Sequence, residues 1–261
     1  MVERPIYNLD GEIIGKIELP SVFNRPVRLD LIRRAYLSTL TSSRQPKGTD
    51  PNAGKRTSAR SWGVGRGLAR VPRIRGEHHP TVGRGAFAPG TVGGRTAHPP
   101  RTDKRLEEKI NKKEKRLAMM SAISATADKE IVRSRGHRIP GEFETPLIIS
   151  KEIESLSKTN QVKKLLDKLG LSEELKRCKD RWGKIRAGRG KMRGRKRQRA
   201  KGPLIIVSKD DGIVKAARNI PGVDVKLVDL LSVKDLCPGG VPGRLTIWSE
   251  TAIREIGDRF A

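Results

Sequence analysis

The chain has 261 residues, of which 35% are hydrophobic, and its formal net charge is +27. Residues 44–101 contribute +10 and residues 176–201 contribute +13, so the remaining residues carry only +4. A nearly neutral body with two strongly basic segments is typical of a nucleic-acid binder. No stretch has transmembrane length or signal-peptide form, and the basic segments lack an apolar anchor, so composition excludes a membrane protein and we expect a soluble, intracellular one.

Before and after the first basic segment the sequence predicts regular structure. Residues Ile6 to Leu19 predict a small β-hairpin or two short strands, with Asp10-Gly11 at the turn. Asp30 is predicted to cap a helix whose apolar face continues to Leu40. A second helix is expected to begin at Asp103 and to run through the charged and apolar residues up to position 127.

Residues 44–101 form a long basic loop in this reading. They contain 12 Lys or Arg, 11 Gly and 7 Pro, and show neither a helical nor an alternating apolar period. Ten of the basic residues are Arg, whose planar fork grips phosphate oxygens, while Gly lets the backbone approach another surface closely. Trp62 and Phe87 lie among them, as groups that stack on unpaired bases would. We expect this loop to be disordered alone and ordered on a polyanion.

From Pro146 onward, short apolar runs alternate with helical segments. The predicted strands are residues 147–150, 204–208, 223–228 and 245–248, and the predicted helices are residues 161–169, 173–186, 212–219 and 251–256. Ser150, Ser172, Ser208 and Ser249 stand where helix N-caps would. Alternating strands and helices favour an α/β fold, with a mainly parallel sheet flanked by helices in Rossmann-like layers.

The predicted organisation is a globular domain interrupted by the basic loop. Residues 1–43 and 102–261 form the α/β domain, and residues 44–101 form the extended, irregular loop that projects from it. Residues 187–202 form a second basic segment within the globular part, which has too much Gly and too much self-repulsion after Gly188 to fold unaided.

Catalytic and metal-binding signatures are missing from the sequence. Gly54-Lys55 is followed by Arg56, so the phosphate-binding loop of nucleotide-binding enzymes is absent, and no GxSxG motif occurs. Cys178 and Cys237 are isolated and are expected to be reduced thiols, and the four His residues have no cysteine partners at ligand spacing. We therefore expect no enzyme, no metal, no cofactor and no small-molecule substrate.

Three functions remain open on these residues alone. Long Arg/Gly loops suit the irregular pockets and splayed bases of folded RNA, whereas readers of duplex DNA usually present a compact helix, so a structural RNA-binding protein is favoured. The second reading is a chromatin-like protein that compacts DNA with the same basic segments. The third is an enzyme that acts on RNA.

Three motifs carry a resemblance to a known family. SWGVGRGLARVPRIRG at residues 61–76, GRGAFAPGTVGGRTAHPP at residues 83–100 and CPGGVPGRLTIWSETAI at residues 237–253 resemble the ribosomal protein four family of the large subunit, in its archaeal and eukaryotic branch. The chain ends eight residues after the last motif and so lacks the long basic extension of eukaryotic members, which predicts an archaeal-type member.

The resemblance implies a cytoplasmic, structural constituent of the large ribosomal subunit. In this family the globular domain sits on the outer surface of the subunit, while the loop threads into ribosomal RNA, supports assembly and helps line the peptide exit tunnel at its tip. The implied partners are large-subunit ribosomal RNA, neighbouring large-subunit proteins and the nascent peptide, without a membrane.

The implied site residues fall into two sets. RNA-binding residues are expected at Arg44, Lys55, Arg56, Arg60, Trp62, Arg66, Arg70, Arg84, Arg95, Arg101, Arg186, Arg189, Lys191, Arg193, Arg195, Lys196, Arg197 and Arg199. The exit-tunnel tip is expected at Arg70, Val71, Pro72, Arg73, Ile74, Arg75 and Gly76.

Overall fold

A computed structural model describes residues 2–141 and 143–260. The chain divides into two units, one comprising Met1–Thr41 with Glu108–Ala261 and the other comprising Ser42–Glu107. All the named helices and strands belong to the first unit, apart from the last residue of the first helix.

One six-stranded sheet organises the first unit. Its strands are β1 (Glu3–Tyr7), β2 (Ile13–Glu18), β3 (Leu147–Ile149), β4 (Leu204–Val207), β5 (Asp224–Leu227) and β6 (Thr246–Ser249). The strands lie in the order β2-β1-β3-β6-β4-β5, and every neighbouring pair is parallel except β1 with β2. This confirms the predicted α/β class and its mainly parallel sheet. Projection of the loop stays a prediction.

Helices surround this sheet. They are α1 (Leu29–Ser42), α2 (Lys112–Ala127), α3 (Lys129–Ser134), α4 (Thr159–Lys168), α5 (Ser172–Arg181), α6 (Ile213–Ala217), α7 (Val233–Leu236) and α8 (Glu250–Phe260). Short 3₁₀ helices span Ser21–Asn24, Lys151–Ser155, Arg189–Arg193 and Pro238–Gly240.

The alternation of side chains along the central strands creates two hydrophobic cores. Ile148, Ile206 and Trp248 belong to one core, which also contains residues of α1, α2, α7 and α8. Ile149 and Ile205 belong to the other core, together with residues of α3, α4 and α6. Because successive side chains of a strand point to opposite faces, the continuously apolar strands require cover on both faces. They are accordingly buried throughout.

The predicted N-terminal hairpin is confirmed. β1 and β2 pair antiparallel, and the Gly11 amide donates to the Asn8 carbonyl at 3.2 Å within the turn. Gly11 has a φ of +85°, a conformation that a residue with a Cβ adopts only at a cost. The Asp10-Gly11 pair therefore sets the position of the turn.

The start of the second helix was predicted wrongly. Helix α2 begins at Lys112 rather than at Asp103. The Glu108 amide donates to the Thr41 hydroxyl at 3.1 Å, so it joins the end of α1 instead of an intrahelical carbonyl. Ile110 packs on the first core from this non-helical segment. A tertiary contact has overridden local helix propensity here.

Helix ends were also misplaced elsewhere. Helix α5 ends at Arg181 and not at residue 186, because Gly183 takes a φ of +80° and its amide donates to the Gln198 carbonyl at 3.1 Å. Asp30 lies inside the first turn of α1, where it pairs with Arg28 at 2.7 Å instead of serving as the N-cap.

Of the four serines predicted as N-caps, one makes a capping bond. The Ser249 hydroxyl accepts from the Ala252 amide at 3.2 Å and so caps α8. Ser172 is itself the first residue of its helix, and Ser150 makes no capping bond. After Ser208 it is Asp210 that accepts from the amides of Gly212 and Val214 at the start of α6.

A buried carboxylate joins the carboxyl ends of two central strands. Glu154 is 2% exposed and accepts from the Ser208 amide at 3.0 Å, the Ser249 hydroxyl at 2.7 Å and the Thr251 hydroxyl at 2.6 Å. These donors follow β4, end β6 and begin α8, respectively. A buried carboxylate is costly unless it is hydrogen-bonded. The three donors therefore replace the hydrogen bonds that water would otherwise make to Glu154.

Replacing Glu154 by Ala should lower the free energy of unfolding by roughly 3 kcal/mol or more, since each orphaned buried donor costs about 1 to 3 kcal/mol. Urea unfolding followed by circular dichroism measures this loss. The matched control is Glu152→Ala, an exposed neighbour on the same 3₁₀ helix, which should change stability by only about 0.5 kcal/mol. Equal midpoints for the two variants would contradict the role of Glu154.

Candidate nucleic-acid interface

In the second unit, three short backbone arms lie side by side. The arm near Arg60 pairs with the arm near Arg73. The amide of each of these two residues donates to the carbonyl of the other at 3.0 Å. The Ile74 amide donates to the Arg84 carbonyl at 3.0 Å, and the Ala86 amide donates to the Pro72 carbonyl at 2.8 Å. The segment predicted as the tunnel tip is therefore the middle arm of three.

Close backbone contact between distant parts of this unit depends on glycine. A Cβ on Gly54 would lie 2.4 Å from the Arg95 amide nitrogen, and a Cβ on Gly94 would lie 2.2 Å from the Ala88 carbonyl oxygen. Gly54 also has a φ of +73°. Substitution at either position would force the backbone to move, which explains the need for glycine here in structural terms.

The predicted RNA-binding residues of this unit lie at its surface. Trp62 and Arg95 are half-buried, and the others are exposed, namely Arg44, Lys55, Arg56, Arg60, Arg66, Arg70, Arg84 and Arg101. The Arg66 guanidinium lies 6.0 Å from the centroid of the Trp62 ring, and the Arg95 guanidinium lies 5.8 Å from the Phe87 ring. The chain thus presents cations with aromatic rings beside them.

The predicted tip residues divide into two groups. Arg70, Arg75 and Gly76 are exposed, whereas Val71, Pro72, Arg73 and Ile74 are half-buried. The Arg73 guanidinium donates to the Gly83 carbonyl at 2.8 Å, so it ties two arms together. No local pattern in residues 70–76 predicts this internal contact.

The second basic segment folds as a hairpin, contrary to the expectation that it cannot fold unaided. The Arg186 amide donates to the Lys196 carbonyl at 2.9 Å, and the Gln198 amide donates to the Lys184 carbonyl at 2.8 Å. Its tip is the 3₁₀ helix Arg189–Arg193, which Gly194 ends with a φ of +76°. We call residues 182–200 the basic hairpin.

Charge repulsion does not prevent this hairpin because its cations point to solvent. The predicted residues of this segment are all exposed, namely Arg186, Arg189, Lys191, Arg193, Arg195, Lys196, Arg197 and Arg199. Repulsion between exposed charges is weak in water and is screened by salt. The backbone bonds can therefore form without a polyanion.

One aromatic residue of the basic hairpin was missing from the predicted site. Trp182 is 45% exposed, and the Arg199 guanidinium lies 5.7 Å from its ring centroid. A tryptophan within a run of basic residues was a usable signal, but Trp182 fell inside the predicted helix 173–186. The pair repeats the Trp62 and Arg66 arrangement of the other unit.

Two arginines hold the base of the basic hairpin. The Arg177 guanidinium donates to the Lys201 carbonyl at 2.8 Å, and the Arg244 guanidinium donates to the Gly202 carbonyl at 2.9 Å. Arg244 is 1% exposed and also pairs with Asp224 at 2.5 Å, which in turn binds the Lys201 ammonium at 2.7 Å. The hairpin therefore leaves the domain from a fixed base.

Behind this base lies a buried carboxylate, Glu174. It accepts from His137 Nδ1 at 2.7 Å, from the Arg138 amide at 3.0 Å and from Arg177 Nε at 2.8 Å. Burial by itself would raise the pKa of Glu174, but the hydrogen bonds from Arg177, His137 and Arg138 lower it to about 2. Burial lowers the pKa of His137, so the imidazole is neutral at pH 7.

Few acidic groups oppose the cations of either basic segment. Within residues 2–141 and 143–260, the single ion pair that involves a predicted RNA-binding residue joins Arg56 to Asp50 at 2.5 Å. The other guanidinium and ammonium groups are exposed, apart from that of Arg95, which is half-buried. They are consequently available to external anions such as phosphates.

Other kinds of site find little support in the part of the chain that the structure describes. No group of three His, Cys, Asp or Glu side chains there could hold a metal ion. Burial raises the pKa of Cys178 to about 11 and the pKa of Cys237 to about 12, so both are inert thiols. None of the described helices combines the length and the apolar character needed to cross a bilayer.

The Glu174 cluster makes stability depend on pH. Because the folded-state pKa lies below the ordinary value of 4.5, the contribution of Glu174 is complete above pH 4.5 and is lost as the pH falls toward 2. Glu174→Gln should lower the free energy of unfolding at pH 7 by on the order of 3 kcal/mol. Between pH 7 and pH 3, the free energy of unfolding of this variant should fall by about 2 kcal/mol less than that of the wild type.

Urea unfolding at the two pH values measures both quantities, with Glu173→Gln as the matched control. Glu173 is an exposed neighbour in the same first turn of α5, and its replacement should leave both values near those of the wild type. An equal pH response in Glu174→Gln and wild type would contradict the assignment.

Comparison with known proteins places this geometry in context. A model of the Ribosomal protein L4/L1 family matches residues 17–259. The large ribosomal subunit protein uL4 of Sulfolobus acidocaldarius is 50% identical over 256 residues, which cover 98% of this chain and 94% of the relative. The proteins of the same name from Sulfurisphaera tokodaii and Saccharolobus solfataricus are 50% and 49% identical, with the same coverage.

Proposed function

Because the chain belongs to the Ribosomal protein L4/L1 family, we propose that it binds large-subunit ribosomal RNA through its two basic segments and supports assembly of the subunit. Family membership itself makes the chain a structural, non-enzymatic constituent of the large ribosomal subunit in the cytoplasm. Its similar relatives are archaeal, which confirms the archaeal-type reading of the sequence.

The observation that carries the RNA-binding proposal is the exposure of its cations. Of the 18 predicted RNA-binding residues, 16 are exposed, and the remaining two, Trp62 and Arg95, are half-buried. Phosphate contacts supply most of the non-specific affinity of nucleic-acid-binding proteins, and Arg makes them in a two-pronged geometry. Ribosomal RNA offers the density of phosphates that this surface requires.

Each part of the chain has a role in this proposal. Residues 1–43 and 102–261 form the α/β domain that faces neighbouring large-subunit proteins, and residues 44–101 thread into the RNA. Residues 187–202 bind RNA from the globular part. The fixed base of the basic hairpin supports this role, because a preorganised binding element loses less conformational entropy on binding.

A finer part of the proposal concerns the nascent peptide. Residues 70–76 help line the exit tunnel, and the exposed Arg70 supplies the surface that a peptide meets, whereas Arg75 and Gly76 lie at the other end of the segment. The half-buried residues between them hold the arm in place through bonds to its neighbours. Support comes from the resemblance of residues 61–76 to the family motif.

The alternative function, from another class, is that of a DNA-compacting protein. The salt dependence of RNA binding and competition between RNA and duplex DNA distinguish the two functions. Replacing Arg193, Arg195, Lys196 and Arg197 by Gln should reduce the magnitude of the slope of log affinity against log salt by up to about 3.6, at roughly 0.7 to 0.9 per lost phosphate contact. Filter binding of the whole chain to purified large-subunit ribosomal RNA measures the slope.

The matched control removes the same charge from exposed lysines outside the basic segments, namely Lys151, Lys158, Lys163 and Lys164. This control should leave the slope unchanged. In competition, ribosomal RNA should displace duplex DNA of equal mass. Preference for the duplex, or an equal loss in both quadruple variants, would contradict the proposal.

The tunnel assignment has its own test, which is photo-cross-linking on ribosomes that carry a stalled nascent chain. A photoreactive residue at position 70 should attach to the nascent peptide, because Arg70 is exposed within the proposed tip. The same group at position 92, which is fully exposed in the same unit but outside the tip, is the control and should not. Attachment to RNA alone from position 70 would contradict the assignment.

A further inference from the structure

A cavity of about 320 Å³ lies within the second unit, and it brings together residues that the proposed function assigns separately to RNA binding and to the exit-tunnel tip. It is lined by Trp62, Arg66, Ile74, Arg75, Gly76 and Val82. We call it the Trp62 pocket. Its volume is near the lower end of the roughly 300 to 1,000 Å³ of small-ligand pockets, which suits one nucleotide rather than a segment of helix.

The three arms of the unit build this pocket. Mutual bonds between Arg60 and Arg73 hold the arm that carries Trp62 against the arm that carries Ile74. The Gly83 amide donates to the Ile74 carbonyl at 3.1 Å, which places the arm carrying Val82 on the other side. The walls therefore come from three separate parts of the chain, joined by backbone bonds.

Two guanidinium groups line the pocket together with the indole ring. The Arg66 guanidinium is 6.0 Å from the Trp62 ring centroid, and Arg75 Nη2 donates to the carbonyl of the adjacent Ser61 at 3.3 Å. Both Arg66 and Arg75 are exposed, so each can still meet a ligand. None of the six described residues that line the pocket is acidic.

Glycine keeps one side of the pocket open. Gly76 has a φ of +146°, and a Cβ built on it would find only the Val82 side chain, at 4.0 Å. Any larger residue there would be strained in this conformation. The backbone at Gly76 thus lets a flat group approach the pocket without meeting a side chain.

The chemistry of these walls selects the occupant. Trp62 supplies an aromatic face, Ile74 and Val82 supply aliphatic surface, and two cations stand beside them with no acidic residue among the described lining. A nucleotide combines a flat ring that stacks on aromatic side chains with an anionic phosphate that pairs with Arg. A nascent peptide segment of mixed sequence has no constant anionic group to match two guanidiniums.

We propose that the Trp62 pocket binds one unpaired RNA nucleotide, with its base stacked on Trp62 beside Ile74 and Val82 and its phosphate on Arg66 and Arg75. This inference rests on the proposed RNA binding and adds to it a site that recognises a base. Contacts with the base would make part of the affinity independent of salt.

The test compares two 12-nucleotide probes with the whole chain. One probe is oligoadenylate RNA, and the other has the same phosphates but no bases. All measurements use a Trp182→Ala background, which leaves Trp62 and the fully buried Trp248 as the remaining tryptophans. The background protein should bind the base-containing probe roughly 5 to 150 times more tightly, the factor that stacking of one base supplies.

Three variants locate that preference. Trp62→Ala should abolish it, Trp62→Phe should retain part of it because a ring remains, and Leu68→Ala should keep it in full. Leu68 is the matched control, since it is 49% exposed in the same unit but does not line the pocket. Tryptophan fluorescence of the background protein should be quenched by the base-containing probe and not by the abasic probe.

The possible failures are distinguishable. Equal affinity of the background protein for both probes, with steep salt dependence, would overturn the pocket and leave the RNA-binding proposal standing. Equal weakening of both probes by Trp62→Ala would show a merely structural role and overturn it too. Failure to bind ribosomal RNA at all would reject the proposed function itself. On intact ribosomes, attachment of a photoreactive group at position 62 to nascent peptide instead of RNA would assign the pocket to peptide.

Discussion

Burial of three central strands on both faces is the constraint on which the rest of the first unit depends. β3, β4 and β6 lie side by side in the sheet, and their residues are all buried. Full burial of each Ile or Leu contributes about 1.5 to 3 kcal/mol, so a few adjacent strands supply much of the driving force of the domain. Both faces of the sheet must therefore be covered by helices, and the basic residues lie at the surface, outside the two hydrophobic cores.

Arginine performs two opposite tasks in this chain, and its surroundings determine which. Arg244 and Arg177 donate to backbone carbonyls at the base of the basic hairpin, and Arg73 ties two arms of the second unit. Most arginines of the two basic segments instead face solvent, and among the described residues predicted to bind RNA only Arg56 has an acidic partner, Asp50. A guanidinium satisfied by carbonyls or carboxylates stabilises the fold, whereas one left in solvent is available to phosphate. Composition alone cannot separate the two groups.

The two cation–π pairs connect the structure to the proposed function. Trp62 with Arg66, and Trp182 with Arg199, each place a cation beside a partly exposed indole ring. Such a pair offers stacking and charge together, which suits unpaired bases of folded RNA better than the uniform backbone of a duplex. Backbone bonds hold both pairs on short paired arms. Binding therefore costs less entropy than ordering a free coil would.

Regular periodicity in the sequence was sufficient for the α/β class, the N-terminal hairpin and the positions of the central strands, because strands with two buried faces have a continuous apolar signal. It failed at boundaries. The Glu108 amide donates to the Thr41 hydroxyl, and α2 begins later in the chain than predicted. The Gly183 amide donates to the Gln198 carbonyl, and α5 ends earlier than predicted. Both are contacts between residues distant in the chain. No local pattern records them.

The sequence by itself determined where the charge lies, that the basic segments contain little regular structure, and which family the three motifs resemble, since these are properties of composition and local order. Only the tertiary structure decided that Glu174 and Arg244 stabilise the base of the basic hairpin, that Arg73 is an internal tie and that Trp62, Ile74 and Val82 share one pocket. The physical reason is that such roles depend on which backbone carbonyls, carboxylates and rings the fold brings within a few ångströms.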